Sequence, residues 1–254
     1  MSAYLARIGT TAPVRTGVEA LRELQLRHLR TVPFENLSVH RDEDIVLEET
    51  ALVRKVVERR RGGFCYELNG AFATLLSALG YDVTLYAARV YSGDDLGPPF
   101  DHLCLRVEAA DPWLVDVGFG SFSHHPLRLD DRADQPDPAG TFRVVDAGNG
   151  DLDVLQDGRP QYRIEPRPRA LSDFEPTCWW QRTSPKSHFT RSLICTLLTE
   201  TGRISLSDHT LIRTTGADRD EELLIDDADV LAAYKDHFGI TLVSIPTLRT
   251  PVRH

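Results

Sequence analysis

The chain has 254 residues, of which 41% are hydrophobic, and this length allows a core and two or three substructures. Its formal net charge is −9, which disfavours nucleic acid and anionic membranes as main partners because both are bound through clustered cations. No stretch approaches the roughly 18 consecutive apolar residues of a membrane helix, and the N-terminus lacks the apolar run of a signal peptide. A cytoplasmic location is therefore expected.

Helical spacing of apolar residues occurs in three stretches near the start of the chain. It predicts helices over about 17–30 and 49–60, and a third helix that begins near Cys65. The first is expected to stop before Pro33, because a residue that precedes proline avoids the α region. Residues 1–80 are therefore predicted to form a small helical bundle.

The pattern changes to the alternation typical of β-strands after residue 80. Strands are predicted over 82–91, 102–108, 113–118, 141–146, 152–157 and 161–165. Asn149-Gly150 lies between two of them and is a strong hairpin signal. The polar, proline-containing segment 132–140 is interpreted as an exposed loop. Residues 81–185 are predicted to form an antiparallel sheet or barrel.

The end of the chain combines both patterns. A helix is expected over about 171–182, ahead of a third section that spans residues 186–254. In that section strands and then a helix are predicted over 192–199, 203–208, 209–215, 221–226 and 227–238. The fold class predicted for the whole chain is α+β.

Cys65 has the most informative neighbourhood in the sequence. It follows Arg61-Gly62-Gly63-Phe64 and begins an amphipathic helix, where unpaired backbone N–H groups and the helix dipole favour negative charge. A helix N-terminus together with an imidazolium can lower the pKa of a thiol from about 8.5 to roughly 3.5–7.5. Cys65 is therefore predicted to be a nucleophile. The alternative is that Cys65 has no catalytic role and is a small buried hydrophobic residue that happens to start a helix.

The other three cysteines lack such a setting. Cys104, Cys178 and Cys195 lie inside predicted strands or a helix, with no Cys-x-x-Cys and no zinc-binding pattern. They are interpreted as reduced core residues. His124 and His125 are adjacent and would face opposite sides of a strand, so no metal site is predicted.

A nucleophilic cysteine needs a base and a group that orients the base. His102 opens one predicted strand, Asp116 ends the next, and the connection between them is short. If residue 108 pairs with residue 112, Asp116 lies diagonally from His102 on the same face, about 7–8 Å away between backbones. A register shift of one residue would place the two on opposite faces. The sequence thus suggests a Cys65–His102–Asp116 triad.

These motifs resemble the arylamine N-acetyltransferases. The resemblance rests on Val-Pro-Phe-Glu-Asn-Leu (32–37), Arg-Gly-Gly-Phe-Cys-Tyr-Glu (61–67), His102 and Asp-Val-Gly-Phe-Gly (116–120), in that order. It implies a helical bundle, a β-barrel and an α/β lid, with a catalytic core like that of cysteine proteases. It also implies that the triad takes an acetyl group from acetyl-coenzyme A and passes it to an aromatic amine or hydrazine.

The resemblance also implies an acceptor pocket and a place for coenzyme A. Phe34 and Phe119 match positions that line the acceptor pocket in this family, although ordinary core packing is nearly as good an explanation for Phe34. Coenzyme A phosphates could be bound by basic residues near the third section, namely Arg182, Lys186, His188 and Arg191. A solvated basic surface is the equally simple alternative.

Three other functions are compatible with the same residues. Some relatives in the family are amide synthases that receive a polyketide from an acyl carrier protein and close it onto its own aryl amine. A papain-like hydrolase uses the same three residue types in the same order. A non-enzymatic module that binds small aromatic molecules would carry an inert cysteine.

Overall fold

A computed structural model describes residues 1–248 of the chain. Its N-terminal part consists of helices and one two-residue strand: α1 Ser2–Arg7, α2 Val18–Thr31, β1 Phe34–Glu35, α3 Leu37–His40, α4 Glu49–Val57 and α5 Cys65–Ala78. The predicted bundle is confirmed, although the short helices α1 and α3 were not anticipated. The predicted second helix ends at Val57 rather than at residue 60, and Arg60 beyond it has a φ of 51°.

The middle of the chain forms a nine-stranded antiparallel sheet. Its strands are β2 Asp82–Ser92, β3 Asp95–Leu96, β4 His102–Ala109, β5 Asp111–Val115, β6 Leu127–Arg128, β7 Gln135–Asp137, β8 Gly140–Gly148, β9 Asp151–Gln156 and β10 Arg159–Arg169. The order is β6-β5-β4-β2-β10-β9-β8-β7, with β3 on β2. The interpretation of 132–140 as only an exposed loop was wrong, because the segment contains β7.

This sheet curls into a nearly closed barrel. Its two end strands, β6 and β7, are linked by the side chain of Gln135, whose Oε1 accepts a hydrogen bond from the Arg128 amide at 2.6 Å. Gln135 Nε2 donates to the Arg128 carbonyl at 3.0 Å. Buried aromatic residues such as Phe142 and Tyr162 fill the interior, and α5 packs against β2 and β4 from outside.

The C-terminal part begins with a 3₁₀ turn, Leu171–Phe174, followed by α6 Glu175–Thr183, α7 His188–Arg191, β11 Ile194–Leu198, β12 Gly202–Ser207, β13 Thr210–Thr215, β14 Asp218–Leu223 and α8 Asp227–Phe238. The second sheet has the order β1-β11-β12-β13-β14, so β1 joins the N-terminal part to it. Tyr234 and Phe238 of α8 pack on one face of this sheet. None of the helices in residues 1–248 combines the length and apolar character needed to cross a bilayer.

Candidate active site

A cavity of about 600 Å³ lies where the start of α5, the barrel and the second sheet meet. Cys65, His102, Phe34 and Phe119 all line it. Asp116 is buried directly behind His102. The five site residues predicted from the sequence are thus brought together.

The register predicted for the β4–β5 hairpin is confirmed. Glu108 pairs with Pro112, and the tight connection is formed by Ala110, whose φ is 70°. β5 ends at Val115, so Asp116 lies just beyond the strand rather than inside it. His102 Nε2 lies 2.7 Å from Asp116 Oδ2, and both side chains are shielded from solvent. Asp116 thus fixes the orientation of the ring through Nε2, and Nδ1 is the ring nitrogen on the side away from this carboxylate.

Asn69 connects the helix of the nucleophile to this pair. It lies one turn after Cys65 in α5, and its Nδ2 donates to Asp116 Oδ1 at 2.9 Å and to the Leu103 carbonyl at 2.6 Å. Its Oδ1 accepts from the Val117 amide at 2.9 Å. The sequence interpretation missed this residue. An asparagine four residues after the cysteine, on the buried face of the helix, was the available signal.

Cys65 is the first residue of α5 and is only 3% exposed. Its Sγ lies 3.9 Å from the Asp101 carbonyl oxygen. A side chain at Gly118 would place its Cβ 2.7 Å from the Cys65 Cα, so the glycine allows the segment after Asp116 to approach the start of the helix. The predicted placement of the cysteine at a helix N-terminus is confirmed.

The two glycines before Cys65 serve close packing rather than a left-handed turn. Neither Gly62 nor Gly63 has a positive φ. A Cβ at Gly62 would collide with the Pro33 carbonyl oxygen, and the Glu35 amide donates to the Gly63 carbonyl at 2.9 Å. The pair of glycines therefore lets β1 run directly beside the segment that leads to Cys65.

Burial and polar contacts act on the Cys65 thiol in opposite directions. Burial raises the pKa of the thiol well above its ordinary value, and a hydrogen bond from the backbone of Leu103 opposes that rise. The charges of Asp101 and Asp116 raise it further. A low thiol pKa of the kind expected from the sequence therefore requires positive charge on His102.

A buried ion pair holds the segment before Cys65. Arg61 Nε donates to Glu35 Oε1 at 2.8 Å, and its Nη1 lies 3.0 Å from Glu43 Oε2. Burial raises the pKa of Glu35, but the charges of Arg61 and Lys55, together with hydrogen bonds from Arg61 and from the Leu37 amide, outweigh burial and leave it below its ordinary value. Arg61 lies beyond the end of α4 and pairs with Glu35 of β1.

Aromatic rings form the apolar wall of the cavity. Phe119 lies edge-on to His102 with ring centroids 5.2 Å apart, and Tyr162 packs 5.1 Å from the same imidazole. Phe34 approaches Phe189, with centroids 6.2 Å apart. Such a wall suits an aromatic ligand.

Basic residues line the cavity beside α7. Lys186, His188 and Arg191 lie on this side. Arg182, which the sequence grouped with them, points elsewhere and donates to the Glu43 carbonyl at 3.0 Å and to Asp44 Oδ1 at 3.2 Å. Lys186 and Arg191 are therefore placed to meet an anionic substrate, whereas burial lowers the pKa of His188 and disfavours its charged form.

Two further features concern cysteines and metals. Cys104, Cys178 and Cys195 are buried in β4, α6 and β11, as predicted for core residues. Within residues 1–248, no three His, Cys, Asp or Glu side chains meet in an arrangement that could hold a metal ion.

Comparison with known proteins places the chain in a family. Residues 17–246 match the model of a family described as N-acetyltransferase. The arylamine N-acetyltransferase of Escherichia coli is 34% identical over 93% of this chain and 87% of its own length. A solved arylamine N-acetyltransferase from Salmonella typhimurium superposes with a TM-score of 0.88 at 30% identity, covering 98% of this chain and 93% of that one.

A second solved structure was determined with coenzyme A. It is the Mycobacterium marinum arylamine N-acetyltransferase in complex with CoA, 32% identical with a TM-score of 0.85, covering 94% of this chain and 92% of that one. The α+β fold predicted from the sequence, with its helical, barrel and C-terminal parts, is shared with these structures. The chain belongs to the arylamine N-acetyltransferase family.

Proposed function

We propose that this chain transfers the acetyl group of acetyl-coenzyme A to an aromatic amine or hydrazine through an acetyl-Cys65 intermediate, with Cys65, His102 and Asp116 as the triad. The observation that carries the proposal is the buried His102–Asp116 pair, 2.7 Å apart, beside a cysteine that starts a helix in the same cavity. Family membership and the CoA complex of a relative support the donor.

The first half-reaction acetylates the enzyme. His102 Nδ1 takes the Sγ proton while Asp116 holds the opposite ring nitrogen, which stabilises the imidazolium. The Cys65 thiolate attacks the acetyl carbonyl, the bond between that carbonyl and the coenzyme A sulfur breaks, and His102 returns the proton to the departing thiolate. The Glu67 and Leu68 amides already donate to the Phe64 carbonyl, so the amides that precede them at the start of α5 stabilise the oxyanion.

The second half-reaction delivers the acetyl group. The acceptor nitrogen attacks the acetyl-Cys65 carbonyl, His102 accepts a proton from that nitrogen, and the Cys65 sulfur departs. Phe34 and Phe119 hold the aromatic ring of the acceptor. Lys186 and Arg191 bind phosphate groups of coenzyme A at the side of the cavity next to α7.

Intact-mass measurement after mixing with acetyl-coenzyme A tests the proposal. The wild type should gain one acetyl group, and adding aniline or a hydrazide should remove it as the acetylated amine appears. Cys65→Ala should gain nothing, whereas the control Cys178→Ala, another buried cysteine, should be acetylated like the wild type. Absence of acetylation in the wild type, or acetylation of Cys65→Ala, would contradict the proposal.

A further inference from the structure

Arg203 is a cation in the catalytic cavity that the proposed chemistry does not use. It lies on β12, where alternate side chains face opposite sides of the sheet. Ile204 and Leu206 are buried against the α8 side, whereas Arg203 and Ser205 line the cavity that contains Cys65. The alternation along β12 thus directs the partly buried guanidinium of Arg203 into the cavity that contains the Cys65 sulfur.

This guanidinium has no carboxylate partner among residues 1–248. Its Nη1 donates to Thr196 Oγ1 at 3.3 Å, and that oxygen lies 2.7 Å from Ser205 Oγ. Burial lowers the pKa of Arg203 to about 10, so the group stays charged at neutral pH. Arg61, the other arginine buried near the site, is matched by Glu35 and Glu43. A desolvated cation without an anion is costly, which is the signature of a site that receives an anion from a ligand.

The neighbourhood of Arg203 adds little negative charge. The cavity that adjoins it is lined by Arg30 and His124 together with Glu200. Burial lowers the pKa of His124; the charge of Asp137 raises this pKa and partly offsets burial, whereas the charge of Arg203 lowers it further. Glu200 is exposed, and burial is the cause that lowers the pKa of Arg203, with no carboxylate raising it. The ligand is therefore the available source of a counter-charge.

The strand pairing links Arg203, through Thr196 and Phe34, to the segment that precedes Cys65. Phe34 forms a parallel β-bridge with Gly63, two residues before Cys65. On its other side Phe34 pairs with Thr196 of β11. Thr196 in turn pairs with Ser205 of β12, and Arg203 contacts Thr196. An aromatic ring against Phe34, with its amine at the acyl-cysteine, would thus direct its far end toward Arg203.

We propose that Arg203 binds a carboxylate on the acceptor, so that the enzyme prefers aminobenzoate-type amines to neutral anilines. The inference rests on the proposed acetyl transfer and names the class of acceptor. The planar guanidinium can form two parallel hydrogen bonds with a carboxylate, which a neutral amide at the same position cannot match. Thr196 holds the guanidinium in place by accepting its Nη1 hydrogen bond.

The kinetic test compares 4-aminobenzoate with its neutral analogue 4-aminobenzamide. In the wild type the ratio of kcat/KM for the acid to that for the amide should be at least tenfold, and in Arg203→Gln it should fall to about one. Arg203→Lys, which keeps the positive charge but loses the two parallel N–H donors of the guanidinium, should give an intermediate ratio. The matched control Arg213→Gln removes an arginine of the next strand that already pairs with Glu222, and it should keep the wild-type ratio.

A binding readout separates this inference from the proposed function. Benzoate should slow alkylation of Cys65 by iodoacetamide in the wild type more than benzamide does, and should lose this advantage in Arg203→Gln. If Cys65 is acetylated but neither the kinetic ratio nor benzoate protection depends on Arg203, the inference is overturned and the proposed function stands. If Cys65 is never acetylated, the proposed function fails, and benzoate protection still decides whether Arg203 binds a carboxylate.

Two further experiments distinguish a carboxylate on the acceptor from other anions that Arg203 could bind. Single-turnover acetylation of Cys65 that slows tenfold in Arg203→Gln would mean that Arg203 contacts coenzyme A phosphates. A dependence on Arg203 seen only when malonyl-coenzyme A replaces acetyl-coenzyme A, with a neutral acceptor, would assign the carboxylate to the acyl group. Either result would overturn the assignment to the acceptor.

Discussion

At the scale of single residues, the proposed acetyl transfer depends on how the Cys65 sulfur loses its proton. Burial raises the pKa of this thiol, and the Leu103 backbone offsets only part of that rise. The remaining group that can favour the thiolate form of Cys65 is the imidazole of His102, which Asp116 orients through a 2.7 Å contact. A positive charge on that ring favours the thiolate, so the reactivity of Cys65 should depend on His102 more than on any other side chain.

The pH dependence of Cys65 alkylation tests this dependence. A thiol reacts as its thiolate, so without a nearby cation the rate should stay low at neutral pH and keep rising with pH toward the raised pKa. At pH 6 the wild type should react roughly 100-fold faster than His102→Gln, equivalent to about two pKa units. Peptide mass analysis of iodoacetamide-treated protein measures the alkylation rate of Cys65 in each variant.

Cys178 provides the control within the same samples. Burial raises its pKa to about 12, so it should react slowly and equally in both proteins. Equal rates at Cys65 in wild type and His102→Gln would refute the role of His102 in activating the sulfur.

At the scale of elements, the start of α5 is positioned by its contact with β1. Glu35 of β1 is fully buried and bonds Arg61, which lies just before the Gly62-Gly63 pair. Glu35 also accepts a hydrogen bond from the Leu37 amide at 2.7 Å. The ion pair thus joins the second sheet, through β1, to the segment that carries the nucleophile.

Arg61→Gln should therefore destabilise the protein by about 3–5 kcal/mol, because it leaves the Glu35 carboxylate buried without its partner. The folded-state pKa of Glu35 is lowered, so the stabilisation is present above its ordinary value of 4.5 and is lost as the pH falls through the folded-state value. Urea unfolding at pH 7 and at acidic pH measures both effects.

Arg27→Gln is the matched control for this substitution. It breaks an ion pair with Glu23 that is about half exposed and spans one helical turn, and it should cost at most about 0.5 kcal/mol. A loss for Arg61→Gln no larger than that would contradict a structural role for the buried pair.

At the scale of the whole molecule, stability should depend on pH through a buried histidine that is not among the residues lining the Cys65 cavity. His28 of α2 is fully buried, and the Tyr4 hydroxyl of α1 lies 3.0 Å from its Nε2. Burial, together with the charge of Arg7, lowers the pKa of His28 to about 3. The folded chain therefore excludes a proton that the unfolded chain binds below about pH 6.5.

Because the unfolded state binds the extra proton, stability should fall as the pH drops from 6.5, by about 1.4 kcal/mol per pH unit from this group. His28→Gln cannot titrate and should lose that part of the slope, as measured by urea unfolding between pH 4 and pH 7.5. Tyr4→Phe loses only the hydrogen bond and should keep the slope. Identical slopes in wild type and His28→Gln would refute the assignment.

Local patterns in the sequence already determined much of this protein. The helix that starts at Cys65 follows from helical periodicity after a pair of glycines. The meeting of His102 and Asp116 follows from a short hairpin loop, because loop length sets the register and the register sets which side chains share a face. The order of helices, barrel and C-terminal part followed from changes in apolar spacing and from the family motifs; the boundaries of the three sections remain a prediction.

The tertiary structure alone decided which distant residues complete the site. Three contacts join segments that are separate in the sequence, and no periodic pattern in the sequence predicts which segments meet. They are the contacts of Asn69 with Asp116, of Arg61 with Glu35, and of Gln135 with Arg128 across the ends of the barrel. The direction of Arg203 into the Cys65 cavity depends on β1, which pairs with β11 and thereby places the second sheet beside the segment that leads to Cys65. Periodicity reports which face of an element is apolar, whereas packing between elements decides what that face meets.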